Sequence, residues 1–317
     1  MTDSEPQSQT LISDPGTSVP GSEVLPLETG RRKGRLRRAA LPTLAMAPFF
    51  IYTGVGLGVP IVYIIRNAFL TFQGKFTFSN LDLLVHGIYL KGFENSLLLS
   101  AITAIIPGIL GVFLAYAIVT SNSAVLKRMV ATASAVLANF GGINLTFIFI
   151  AALGEGTGVI TVLLNHIGLN PWNHGFDLYN FYGVALVYFY FQLPLMVLVI
   201  TPALGGLRQS WREAAQNMGA SNWRYWRHVG IPVLMPSILG GVLLLFGSSF
   251  AAYATAQTLT LGTVTLSPIQ IGDTVSGNAI AGEANIGFAI ALGMLIVLSI
   301  TMLFYGLARR KASKWLR

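Results

Sequence analysis

The chain has no cysteine, which excludes disulfides, thiolate metal sites, cysteine nucleophiles and a lipoprotein anchor, and leaves the redox compartment open. Charge is scarce as well: 10% of residues are charged against 53% hydrophobic, a balance that excludes a soluble globular protein. No Gly-x-x-x-x-Gly-Lys-Ser/Thr loop occurs, so the chain has no phosphate cradle of its own and is expected to bind no cofactor. A Gly-x-Ser-x-Gly elbow is absent too. His86, His166, His174 and His228 lack the paired spacing a metal needs. Carboxylates fall mainly in the tail and loops, leaving no pair within an apolar segment to run a proton relay. An enzyme or a proton-driven pump lacks its parts.

What the sequence does have is long apolar runs. Six segments can each cross a hydrocarbon core of ~30 Å: Leu41–Ile65, Ser96–Val119, Met129–Ala152, Tyr182–Leu204, Val233–Gln257 and Ile286–Leu307. The fold class is therefore expected to be all-α, a polytopic membrane bundle of six helices, with lipid as its solvent. Gly and Pro interrupt several runs, at Pro107, Gly141-Gly142 and Pro194. Membrane helices tolerate them because neighbouring helices re-satisfy the freed backbone groups.

Basic residues cluster at Arg31 to Arg38, at Lys127 and Arg128, around Glu213, and at Arg309 to Arg317. With both ends on one side, only Arg66, Lys75 and Lys91 fall on the other. That asymmetry places both termini and the Glu213 loop in the cytosol. It also accounts for the net charge of +8 without nucleic acid as a partner. The reading gives a disordered, basic tail over residues 1–40, a membrane domain over 41–308 and a basic tail over 309–317. Residues 1–30 lack the basic-then-apolar order of a cleaved signal peptide.

The loop at about 205–232 carries the most specific pattern. Ser210-Trp211-Arg212-Glu213 reads as a capping box. Ala214 and Ala215 favour a narrow helix, and Gly219 can close it in a left-handed conformation. Ser221 can cap a second short helix bearing Trp223, Arg224, Trp226 and Arg227, and Pro232 marks the turn into the next span. These residue types serve a docking loop and an amphipathic segment on the membrane surface equally well.

The spacing goes further. Glu213-Ala214-Ala215, three residues, Gly219, nine residues, Val229, one residue, then Ile231-Pro232 resembles the EAA loop of binding-protein-dependent ABC importer permeases. Val229 and Ile231 stand where that family usually has Ile and Leu. The resemblance implies an inner-membrane permease whose loop docks on a cytosolic ATPase, which binds the ATP, through Glu213, Ala214, Ala215, Gly219, Ala220, Ile231 and Pro232. It implies a second permease subunit and an external solute-binding protein as further partners. The long outward connections, residues 67–95, 154–181 and 259–282, would form that protein's landing platform.

Neutral polar residues are scattered along the third to fifth spans: Asn139, Asn144, Gln192, Ser248, Ser249, Tyr253, Thr255 and Gln257. In hydrocarbon they must face other helices or a water-filled path. Asn144, Gln192 and Tyr253 are the candidates for a translocation path. Phe250 to Thr260, with Pro268-Ile269-Gln270-Ile271-Gly272, looks like the polyamine-type branch of the permeases. The alternative is a stand-alone secondary carrier or channel, but ionisable residues within the spans and recognisable repeats, which such proteins often show, are not evident.

Overall fold

The computed structural model describes residues 31–71, 73–169, 171–276 and 284–313, with side chains from residue 46 to residue 307 of those ranges. The expectation for residues 1–30 lies outside the described residues. The chain divides at Gly58 into two units, and the architecture below concerns the second, Val59–Arg317. In the first, residues 31–58 are helical, so helix α1 (Arg31–Ala68) begins within the stretch read as a tail.

Every regular element among the described residues is helical, apart from one isolated bridge between Leu70 and Phe76. After α1 come the short α2 (Ser79–Leu84) and the long α3 (Gly87–Thr120), then α4 (Ala124–Asn139), α5 (Ile143–Leu153) and α6 (Val159–His166). Next are α7 (Phe181–Gly205), α8 (Gln209–Asn217) and α9 (Asn222–Tyr225), which runs through a wide π-turn (Trp226–Gly230) into α10 (Ile231–Phe250). Then follow α11 (Ala254–Thr260), α12 (Ser267–Val275) and α13 (Ala284–Ser313).

Five stretches are long and apolar enough to cross a membrane: Met46–Ala68, Gly87–Thr120, Phe181–Gly205, Asn222–Phe250 and Asn285–Leu307. The expected third span is not one straight helix. It breaks between α4 and α5 with a bend of 104°, and only as a bent pair does it complete six. The break sits at the glycine pair, where Gly142 takes φ +75°, a region that L side chains adopt only at a cost. Its freed N–H is not orphaned, because Thr255 Oγ1 accepts it at 3.1 Å. Thr146 Oγ1 reaches back to the Thr255 carbonyl at 3.3 Å, so α5 and α11 are bound at both discontinuities.

The fifth span also differs from expectation. It begins at Asn222 and ends at Phe250, and Gln257 lies on the separate α11. The Tyr188 hydroxyl on α7 donates to the Ala252 carbonyl at 2.8 Å, supplying a partner where the helix stops. Pro232 was expected to mark a turn, but the helix runs through it. The π-turn, closed by Ile231 N–H on the Trp226 carbonyl five residues back, opens the helix just ahead of a ring that cannot donate.

The core forms where α3, α7 and α10 meet. α7 is central: 61% of its apolar window is buried, against 39% for α3 and 22% for the α9–α10 span. Met196 is buried between two glycine notches, and a Cβ on Gly111 of α3 would lie 2.6 Å from Met196 Cβ. One on Gly241 of α10 would lie 2.6 Å from Met196 Sδ. Around Met196 stand Ala104, Ala115, Val197, Ile200, Leu234 and Leu245. A second cluster, with Leu99, Leu145, Val184, Tyr188, Leu259 and Ile269, packs α5, α11 and α12 onto the other half of α7.

Candidate functional site

The Glu213 loop is a helix, a corner and a second helix. α8 starts two residues earlier than a capping box at Ser210 requires. Trp211 N–H bonds the Arg208 carbonyl at 3.1 Å, which makes Arg208 the N-cap and draws Ser210 into the first turn. The box therefore does not form. Glu213 instead accepts from Gln209 Nε2 at 3.0 Å, one helical turn back on an exposed face.

The corner is closed as the sequence predicts. Gly219 takes φ +76°, its N–H bonds the Gln216 carbonyl at 2.9 Å, and Ala220 N–H bonds the Ala215 carbonyl at 2.9 Å. That pair of bonds is the Schellman motif, which satisfies carbonyls the helix end leaves open. No atom stands within 4 Å of a Cβ built on Gly219, so the requirement for glycine is conformational. Ser221 then caps α9, its Oγ accepting from Arg224 N–H at 3.3 Å.

The two faces of the loop are distinct. Ala215 points inward and is 7% exposed, and Tyr225 of α9 is buried as well. Trp226 packs edge-to-face on Tyr116 of α3 at 5.0 Å, which seats the loop on the bundle. Glu213, Ala214, Gly219, Ile231 and Pro232 are exposed, and Ala220 is half-buried. Beside them the structure adds a residue that the motif does not single out: Met218 is 81% exposed, with Trp223 at 69%. An apolar side chain at a helix C-cap, where solvent is the default, was the available signal.

The candidate path residues fall in three different settings. Gln192 is fully buried on α7, and its Nε2 donates to the Leu245 carbonyl at 2.8 Å and contacts Ser249 Oγ. Ser249 Oγ in turn pairs with Thr103 Oγ1 of α3 at 2.8 Å. A polar chain thus ties α3, α7 and α10, while Gln192 Oε1 has no partner. Thr103 belongs to a buried stripe with Ser96 and Ser100, at helical spacing along α3. Tyr253 lies past the end of the fifth span, 40% exposed, its ring against Gly272 of α12. Asn144 is exposed at the start of α5. Among the described residues no hydrogen bond joins these three to one another.

Comparison with known proteins places this architecture. A family model described as "Binding-protein-dependent transport system inner membrane component" matches residues 39–314. A probable sulfate transport system permease protein CysT of Marchantia polymorpha is 26% identical over 226 residues, which is 70% of this chain and 73% of that protein. A spermidine/putrescine transport system permease protein PotC homologue of Mycoplasma genitalium is 26% identical over 159 residues, half of each chain. Among solved structures, a bacterial ABC transporter involved in import of the acidic polysaccharide alginate superposes with a TM-score of 0.71 at 19% identity. The overlap is 89% of this chain and 99% of that one. A bacterial alginate ABC transporter in complex with an alginate pentasaccharide-bound periplasmic protein gives 0.69 at 19% identity, over 89% of this chain and 98% of that one. At these identities the structural likeness is one of fold.

Proposed function

The chain belongs to the inner membrane components of binding-protein-dependent transport systems, and we propose that within such a system its Glu213 loop is the surface on which a cytosolic ATPase docks. The observation that carries this is the Schellman-closed corner, which fixes Glu213, Ala214, Met218 and Gly219 on the exposed side while Trp226 anchors the other side to α3. A rigid helix pair joined to two membrane spans, α7 and α10, can pass a push from below into the bundle. In this reading ATP is bound and hydrolysed by the ATPase subunit. A second permease subunit completes the pathway, an external binding protein delivers the solute, and both termini and the loop face the cytosol. Family membership displaces the stand-alone carrier or channel.

The path itself is proposed to run beside the exposed Tyr253 and Asn144, with Gln192 acting by holding α7 against α10. Relatives named for sulfate and for spermidine/putrescine carry solutes of opposite charge, so the polyamine-type likeness narrows the solute only to a small charged or polar molecule. Co-expression with a cytosolic ATPase subunit of such a system tests the core of the proposal. Wild-type chain should retain the ATPase through purification, and Gly219→Val should lose it while still reaching the membrane. Retention by the variant at normal levels would remove the docking role.

A further inference from the structure

Two adjoining hollows flank the Tyr116–Trp226 pair, and they differ in chemistry. One is a cleft of ≈ 660 Å³ between the α3–α4 turn and α8, into which Lys127, Arg208 and Arg212 converge beside Ser121 and Asn122. Glu213 on its rim is occupied with Gln209. Among the described residues none of the three cations has an ion-pair partner. The other is a groove of ≈ 580 Å³ along α3 and the start of α10, lined by Phe113, Trp223, Ile231, Leu234 and Ile238. Tyr116, Leu204 and Trp226 line both, so the basic cleft and the apolar groove lie on the two sides of one shared wall.

We infer that this composite site holds one anionic glycerophospholipid of the leaflet facing the Glu213 loop. Its phosphate would sit among Lys127, Arg208 and Arg212, and an acyl chain along Phe113 and Ile238. The argument is complementarity of both parts at once. Three unpaired cations call for an anion, and basic pockets between membrane helices select anionic headgroups. A soluble anion would leave the groove uncovered, and an apolar partner helix would leave the cations unmatched. Aromatic residues at the junction fit the headgroup level of a bilayer, where Trp and Tyr are enriched. A lipid so placed bridges α4 to α8, and it would bind the loop to the bundle independently of the Trp226 contact.

The inference needs only that the chain is embedded in a bilayer, so it is tested without any ATPase, and its failure would leave the docking proposal standing. The full chain is reconstituted in phosphatidylcholine vesicles containing a minor fraction of either dibromo-acyl phosphatidylglycerol or dibromo-acyl phosphatidylcholine, and quenching of tryptophan fluorescence is measured. Phosphatidylglycerol should quench at a much lower mole fraction. Replacing Lys127, Arg208 and Arg212 by Gln should erode that preference by about five-fold per charge, on the order of 100-fold for all three. Phe113→Ala should weaken quenching by both lipids alike. The site is overturned if the two lipids quench equally in the wild type, or if the triple variant keeps its preference. It is overturned also if inorganic phosphate abolishes the preference, which marks a soluble-anion site. Quenching that removal of both groove tryptophans, Trp223→Phe with Trp226→Phe, leaves unchanged would show a groove covered by protein, a second copy included, and would equally end the proposal.

Discussion

Met196 and Gly111 sit so close that the Cβ of one occupies the place a Cβ on the other would need, 2.6 Å away. The contact is between atoms next to the backbone, so no side-chain rotation relieves it. Gly111→Val is expected to force α3 from α7, destabilising the fold by about 1–3 kcal/mol. Gly306→Ala, inside α13 where nothing lies within 4 Å, should cost nothing and raise stability by at most about 1 kcal/mol. Thermal unfolding of both variants in the same detergent checks this; equal melting temperatures would mean that the three-helix seam is looser than described.

Gln192 gives a second prediction. Interhelical hydrogen bonds in membranes average roughly 0.6 kcal/mol, and Gln192 already carries one buried oxygen without a partner. Gln192→Leu is therefore expected to lower stability by no more than about 1–2 kcal/mol, with transport per folded molecule retained. Tyr253→Leu, at an exposed site beyond the span end, should do the reverse. Measuring melting temperature and uptake on each variant separates the roles, and an uptake defect confined to Gln192→Leu would return that residue to the path.

For the loop, the corner rather than the helix surface is the sensitive point. Gly219→Val places a β-branched residue at φ +76°, costing roughly 1–2 kcal/mol locally. Solute-stimulated ATPase activity should fall with the permease still inserted. Ala215→Asp is a poor probe of docking, because Ala215 is buried within this chain and the charge would disrupt the loop itself. Ala214→Trp is the better one: the site is exposed, so the fold should survive and ATPase association should not. Normal stimulated activity in that variant would exclude this face from the interface.

Orientation can be read directly, because the chain has no native cysteine. Cysteines introduced singly at Asn122, Ser221 and Ser313 should resist an impermeant thiol reagent applied from outside. One at the exposed Leu169 should react. Outside labelling of Ser221→Cys would invert the topology.

The spans and the corner were legible because their causes are local. An apolar run needs no partner to be recognised, and the helix at Gly219 is closed by that residue's bond three positions back and Ala220's bond five positions back. The two breaks were not legible for the opposite reason. Gly142 can leave the helix because Thr255 takes its N–H, and α10 can stop because Tyr188 reaches Ala252; in each case the compensating group lies far away in the chain. The capping box failed at a finer level. Ser210 has the right residue type, but where α8 begins is set by how the chain leaves α7, and no spacing rule within the motif contains that.

The wide turn at Trp226–Gly230 bears on any exchange of parts among such permeases. A π-turn holds one residue more than the α-turn it replaces, and one residue is about 100° of azimuth in a helix. Deleting a residue there would leave the span continuous yet swing Trp223 and the α8 corner by more than a quarter-turn about its axis. The outward loop face and the buried face of α10 are thus phased by a single residue. A chimaera that grafts another loop onto this span has to preserve that count, whatever its sequence.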